Sequence, residues 1–234
     1  MTDTGWVAAA AAAFTGTHLL LSHLFRGPLV AALGARGFLL VYSLVAAGTL
    51  GWLVSAYRAS ALTPPLWPVG DAIWAVATVV MLVASVLFMG SLVRNPAFPS
   101  GGRPAEPPQE ARGVYAVTRH PMMWSFALWG LAHIAVYPVA AQIVLAGSVV
   151  VLALAGSALQ DRKKYKREPG WRAWKARTSF WPFAAIAGGR ARLGGFGAHA
   201  LGGGAVLWLG ATWAHMPLAG WAAGVWRWVR TDGS

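Results

Sequence analysis

Two histidines interrupt long apolar stretches of this chain and are the first residues whose type and setting imply chemistry: His18 and His133. A polar group inside a bilayer costs several kcal/mol unless it is satisfied, so an intramembrane histidine marks a site unless a neighbouring helix simply hydrogen-bonds it. Neutral imidazole is a good axial ligand for iron. No Asp, Glu or Cys lies in these two stretches to build a hard-cation or thiolate site, so the sharper expectation is a buried metal or haem site, and two such histidines would suit a low-spin haem b. Phe14 and Trp129 each precede one of these histidines by four residues and, with Phe126, offer aromatic surface on the same helix faces. Core packing explains these aromatics equally well.

The other histidines are placed differently. His23 follows His18 by five residues, about 140° around a helix, so the two do not share a face. His120 stands in Arg119-His120-Pro121, where Pro121 suits a first helical turn and the basic pair suits a headgroup surface. His23 with His120 is the rival ligand pair, nearer the basic surface. His199 and His215 fall near opposite ends of the last apolar stretch, His215 beside Pro217. Counted from the basic boundary at 1.5 Å per residue, His18 and His133 differ in depth by roughly 6–9 Å, an offset that helix or haem tilt must absorb.

The elements that position these residues are membrane helices. The chain has 234 residues, 57% hydrophobic and 11% charged, with 14 Trp, 28 Gly and a mean hydropathy of +0.53. That balance belongs to a lipid-facing protein, not a water-soluble core. About 20 apolar residues cross the hydrocarbon. Six stretches approach or reach that length: Trp6–Phe25, Gly37–Tyr57, Ala72–Val93, Pro121–Tyr137, Val139–Gln160 and Ala198–His215. The expected fold is therefore an all-α bundle of six transmembrane helices in a single domain. The fourth and fifth are joined across Pro138 as a tight antiparallel hairpin, and Met216-Pro217 should kink or end the sixth. Asp3 and the absence of Lys or Arg before Trp6 argue for a retained helix, not a signal peptide.

Charge gives the orientation. Sixteen of the 19 Lys and Arg fall in the connections after the first, third and fifth helices, leaving Arg58, Arg227 and Arg230 opposite. The positive-inside rule then puts both termini on the non-cytoplasmic side of a multi-pass protein, in a bacterial inner membrane. Two connections on the basic side are long. Residues 95–118 are rich in Pro and Gly and read as a linker, whereas 161–192 mix cations with Trp171, Trp174, Phe180, Trp181 and Phe183 and read as a segment lying at the headgroup surface. Membrane lipid accounts for the net charge of +12 without nucleic acid. With no cysteine, disulfides and thiolate chemistry are excluded.

Several segments carry a resemblance. Thr17-His18, Thr118-Arg119-His120-Pro121-Met122, Gly130-Leu131-Ala132-His133, Asp161-Arg162 and Arg177-Thr178-Ser179-Phe180-Trp181-Pro182-Phe183 occur in order and together look like the NnrU family. That family includes bacterial proteins linked to denitrification and is similar to the 15-cis-zeta-carotene isomerase of plants and cyanobacteria, a haem b membrane protein. The resemblance implies His18 and His133 as haem ligands, and either isomerase-like chemistry or an accessory role beside a respiratory or denitrification complex; His120 remains a further cofactor-binding candidate. Where the isomerase has a cysteine in the turn before its second ligand, this chain has Gly130. Non-enzymatic haem or nitric-oxide sensing, or assembly of a complex, fits the same resemblance. A different class competes: Arg119-His120-Pro121, a helical hairpin and Trp171-Arg172-Ala173-Trp174 also resemble membrane methyltransferases that bind S-adenosylmethionine. Those enzymes carry an acidic stretch after the hairpin; Asp161–Arg167 holds one acid among five basic residues.

Overall fold

A computed structural model describes residues 3–97 and 107–229. The described residues are helical, with no strand among them. They form α1 (Asp3–Leu19), which runs into a π-helical turn (Leu20–Leu24), α2 (Arg26–Ala59), α3 (Asp71–Ser91), α4 (Val114–Val117), α5 (Pro121–Val136), α6 (Ala140–Arg167), α7 (Pro169–Arg177), α8 (Ala184–Ala187), α9 (Ala198–Ala219) and α10 (Trp226–Val229). Four helical stretches are long and apolar enough to cross a membrane: Asp3–Leu24, α2, α3 and α6. α5 is apolar but shorter, and α9, at 22 residues, carries two histidines and Pro217. The part of the expected linker that spans 98–106 lies outside the described residues.

Helix neighbours follow from where small residues stand. α1 packs on α2 and α6, α6 on α5, α5 on α3, and α3 on α9. Ala10 and Ala11 of α1 are buried against Leu53 of α2 and Ala141 of α6. Without a side chain, helix backbones approach closely, which replaces the hydrophobic driving force that lipid does not supply. Gly204 of α9 lies so near α3 that an added Cβ would meet the Val86 Cα at 2.8 Å. Gly130 of α5 is equally confined: a Cβ there would stand 2.6 Å from Val150 Cγ2 and 2.8 Å from the Ala146 carbonyl oxygen of α6. The glycine where the isomerase has cysteine is thus a packing requirement of the α5–α6 hairpin. Away from these seams, large apolar side chains such as Leu40, Leu44, Val79 and Val206 point outward, as lipid-facing residues must.

Three boundaries differ from the sequence reading, each for a local reason. α2 begins at Arg26, not near Gly37, because Gly34 adopts φ 70°, ψ 170° and breaks the helix into a short basic-end piece and the long apolar one. α6 does not stop at Gln160 but continues to Arg167, its last turn stabilised by Lys and Arg against the helix C-terminus. Residues 161–167 are therefore helix, not a strip along the surface. Trp171 and Trp174, expected at the headgroups, are fully buried with Leu87, Val114, Tyr115, Val117 and Trp124 in the main core. α9 carries on through Pro217 and ends at Gly220, whose φ of 80° suits a left-handed cap. The hairpin across Pro138 forms as expected, with the Val139 amide donating to the Tyr137 carbonyl at 2.9 Å.

Candidate functional site

Polar side chains gather in two places. The first is the basic end, where α5 starts. Pro121 occupies the first turn of α5, and His120 is its cap residue. The α5–α6 hairpin brings Asp161 back to this level. Its Oδ2 accepts from Arg119 Nε at 2.7 Å and from Arg119 Nη2 at 2.6 Å; its Oδ1 accepts from His120 Nε2 at 2.8 Å and from Trp171 Nε1 at 3.2 Å. Arg119, His120 and Asp161 are 6%, 2% and 5% exposed, so a charge pair is held out of water by four donors on one carboxylate.

A strap from Thr178 to Phe183 closes over this cluster. Arg119 N donates to the Ser179 carbonyl, Thr118 Oγ1 and Trp124 Nε1 donate to the Phe180 carbonyl, and Phe183 N donates to the Val117 carbonyl. The Phe180 ring stands edge-on to His120 at 5.8 Å and under Arg119 at 6.0 Å. Because Asp161 can only accept, His120 Nε2 carries the proton of the neutral ring and Nδ1 carries a lone pair. That Nδ1 is buried with no hydrogen-bond partner among the described residues. Burial pushes the His120 pKa below its ordinary 6.5, with Arg119 and Lys164 acting in the same direction, against the pull of Asp161. Tyr115 nearby is pushed well above its ordinary range by burial.

The second place is the apolar interior. His18, His133 and His215 share one device: Nδ1 donates to the backbone carbonyl four residues earlier, Phe14 at 2.7 Å, Trp129 at 2.8 Å and Ala211 at 2.8 Å. A carbonyl only accepts, so each proton sits on Nδ1 and each Nε2 offers a lone pair, the form that binds a metal. The aromatic residue one turn before each of the first two lies against its ring, Phe14 on His18 and Trp129 on His133, both at 4.3 Å between centroids.

His18 and His133 are not brought together. α6 stands between their helices: Ala141, Leu145 and Gly156 face α1 and α2, while Ala146, Val150 and Ala153 face α5. At about 100° per residue these stripes are centred roughly 110° apart around α6. His18 turns toward Tyr42 of α2, 5.5 Å between centroids, and His133 turns toward His215 of α9, 6.1 Å between centroids with 30° between planes. The same division separates the rival pair. His23 lines a pocket with Leu159 and Lys163, while His120 holds Asp161, about 200° round α6 from Leu159. Phe126 packs on Phe88 of α3. Among the described residues no three or more of His, Asp and Glu cluster as a metal site.

The ordered motifs on which this geometry rests run through nearly the whole chain, and a family model described as NnrU protein matches residues 6–223. The chain belongs to the NnrU family. No curated protein and no solved structure matches it. Within this family member, sequence reasoning found Arg119, His120 and Asp161 separately but not their closure. The signal was present: a hairpin centred on Pro138 sets residues 119–120 opposite 156–157, one turn from Asp161, the first acid after the apolar run. His215 as the neighbour of His133 had no such signal, because α5 and α9 are joined only through the long basic-side connection.

Proposed function

We propose that this NnrU-family protein is an integral membrane haem b protein, with six spans and both termini on the non-cytoplasmic side of a bacterial inner membrane. The observation that carries the haem reading is the common tautomer of the interior histidines, which leaves each Nε2 free to ligate inside an apolar bundle. His133 would hold the group, with His18 or with His215, whose ring lies 6.1 Å from that of His133, as its partner. The His18 ring stands 5.5 Å from that of Tyr42 across the α1–α2 contact. Bound haem b would supply redox and ligand-binding chemistry. The chain's own contribution is to fix both ring tautomers and to keep the site apolar through Trp129 and the surrounding helices. The physiological use is isomerase-like chemistry or an accessory role in nitrogen-oxide respiration, both supported by the family resemblance; sensing or assembly uses the same site without turnover.

The visible spectrum of detergent-purified protein tests this. A Soret band should appear under haem-replete expression and be altered or lost in His133→Ala, with loss in His18→Ala or in His215→Ala naming the second ligand, while His199→Ala retains it. Normally inserted protein without Soret absorption removes the haem reading. Loss in His18→Ala and His133→Ala alone returns the ligand pair to those two, and loss in His23→Ala and His120→Ala alone moves it to the basic end. Reporter fusions after Ser234 test the topology: activity typical of the cytoplasm there, with intact insertion, rules out six spans.

One observation favours a second reading, S-adenosylmethionine-dependent methyl transfer. His120 Nδ1 is a buried acceptor without a partner beside Arg119, the residues that resemble the methyltransferase motif. Against it, the one acid of the stretch Asp161–Arg167 is already engaged by Arg119, His120 and Trp171. Calorimetric titration with S-adenosylmethionine should show no saturable heat; competable micromolar binding would put methyl transfer first.

A further inference from the structure

Where the π-helical end of α1 meets the start of α2 and the last turns of α6, a cavity of about 490 Å³ opens at the basic end of the bundle. Five cations line it: Arg26, Arg162, Lys163, Lys166 and Arg167. Among the described residues no acidic side chain does. The acids nearest in sequence are engaged elsewhere, Asp161 with Arg119 and His120 on the far side of α6, and Glu168 with Lys164 at 3.0 Å. Arg162 with Lys166 and Lys163 with Arg167 are like-charge pairs four residues apart, an arrangement that destabilises a helix on its own. The C-terminal dipole of α6 offsets about half a charge, far less than five. A concentration of unneutralised cations in a concave site is one that an anion completes.

The rest of the lining says what kind of anion. Val30 and Leu159 give the cavity an apolar side, and Gly27 leaves open space above its backbone. Leu24 and Phe25, at the adjoining end of α1, are 65% and 45% exposed. The site therefore pairs a cationic floor with an apolar edge continuous with the outer surface of the bundle. It exists because the helices part here: the π turn Leu20–Leu24 widens the end of α1, and Gly34 frees the short first piece of α2 to swing Arg26 over the gap, where it also stacks on Phe38 at 5.1 Å.

We propose that this cavity binds a phosphate-bearing anion, and that its source is the headgroup of an anionic glycerophospholipid whose acyl chains run along Val30 and Leu159. The site does not depend on the haem reading. It is tested with delipidated, detergent-purified full-length protein, by thermal unfolding and by native mass spectrometry with phosphatidylglycerol, phosphatidylcholine or inorganic phosphate added. Phosphatidylglycerol should raise the unfolding temperature and remain bound at one molecule per chain, phosphatidylcholine and phosphate should not, and Lys163→Gln with Arg167→Gln should weaken binding at least tenfold, whereas Arg190→Gln should not. Equal stabilisation by phosphatidylcholine, or undiminished binding by the double variant, overturns the proposal. Stabilisation by inorganic phosphate as large as by phosphatidylglycerol overturns the lipid source and assigns a free anion. If the double variant fails to fold, the wild-type protein decides: the bound lipid should dissociate toward ~1 M salt, where the screening length falls to about 3 Å, and salt-insensitive binding overturns a charge-recognising site.

Discussion

At the basic end, Asp161 accepts hydrogen bonds from Arg119, His120 and Trp171, side chains carried by the lead-in to α5 and by α7. On the apolar helices, among the described residues, His18, His133 and His215 each bond to a carbonyl of their own helix. The first region spends its polar groups on holding elements together. The second spends none of these histidines on cross-links between helices and keeps a lone pair on each ring. A buried carboxylate with several donors is a lock whose removal is felt throughout, whereas a histidine bonded within its own turn is a presented ligand whose loss costs the protein little structure.

The sharpest way to break this comparison is Asp161→Asn. The shape is kept but Arg119 is left as a buried cation without a counter-charge, and the expected loss is about 3–5 kcal/mol. His18→Leu, which removes one hydrogen bond within α1, should cost about 1 kcal/mol or less. Denaturant or thermal unfolding in a fixed detergent compares them. Similar losses for the two would mean that the basic-end cluster is no lock.

A smaller effect is expected at Gly130, midway along the helix that carries both regions. α5 begins at the Arg119–His120 cluster and ends just beyond His133, and Gly130 seats it on α6. Gly130→Cys places a Cβ against the Ala146 carbonyl, which cannot turn away, and should cost about 1–3 kcal/mol. Gly48→Ala in α2, where an added Cβ meets nothing within 4 Å, should be neutral or slightly stabilising. If haem is bound, Gly130→Cys should also shift the Soret band, because the register that brings Asp161 to Arg119 also sets the depth of His133. A stable Gly130→Cys protein with an unchanged spectrum would separate the two regions that the hairpin is argued to couple.

How much of this was legible in sequence follows the range of the interactions. The apolar stretches and the Pro138 hairpin are local patterns, and their helices stand where the sequence placed them, apart from the extra piece of α2 from Arg26 and the run of α6 on to Arg167. The all-helical class follows from the same patterns. The self-bonded tautomer of His18 or His133 is local too, since any helical histidine can reach the carbonyl four residues back, though nothing in the sequence says that its ring turns that way. What escaped was set by packing across long separations. Trp171 and Trp174 carry the composition of an interfacial segment, yet α7 folds them under Tyr115 and Trp124. The partner of His133 on α9 is fixed by how α3 lies between α5 and α9, which no periodicity encodes.

The smallest effect distinguishes the regions by pH. His120 is held neutral in the folded protein because burial depresses its pKa below 6.5, while in the unfolded chain it takes up a proton near that value. The unfolded state therefore binds more protons as pH falls below 6.5. The contribution of His120 to stability is complete above that pH and is lost progressively beneath it, down to its folded pKa. Between about pH 7.5 and pH 5.5 the carboxylates do not titrate appreciably, so Asp161 stays ionised and the window reports histidine. Wild type should lose unfolding temperature across this interval, and His120→Gln should lose measurably less while starting from a lower value. His199→Gln, which changes an exposed histidine outside the cluster, should lose as much as wild type. An equal slope in wild type and His120→Gln would mean that water or a ligand reaches Nδ1 and lets the ring charge in place, which would turn the lock at the basic end into a site that exchanges protons.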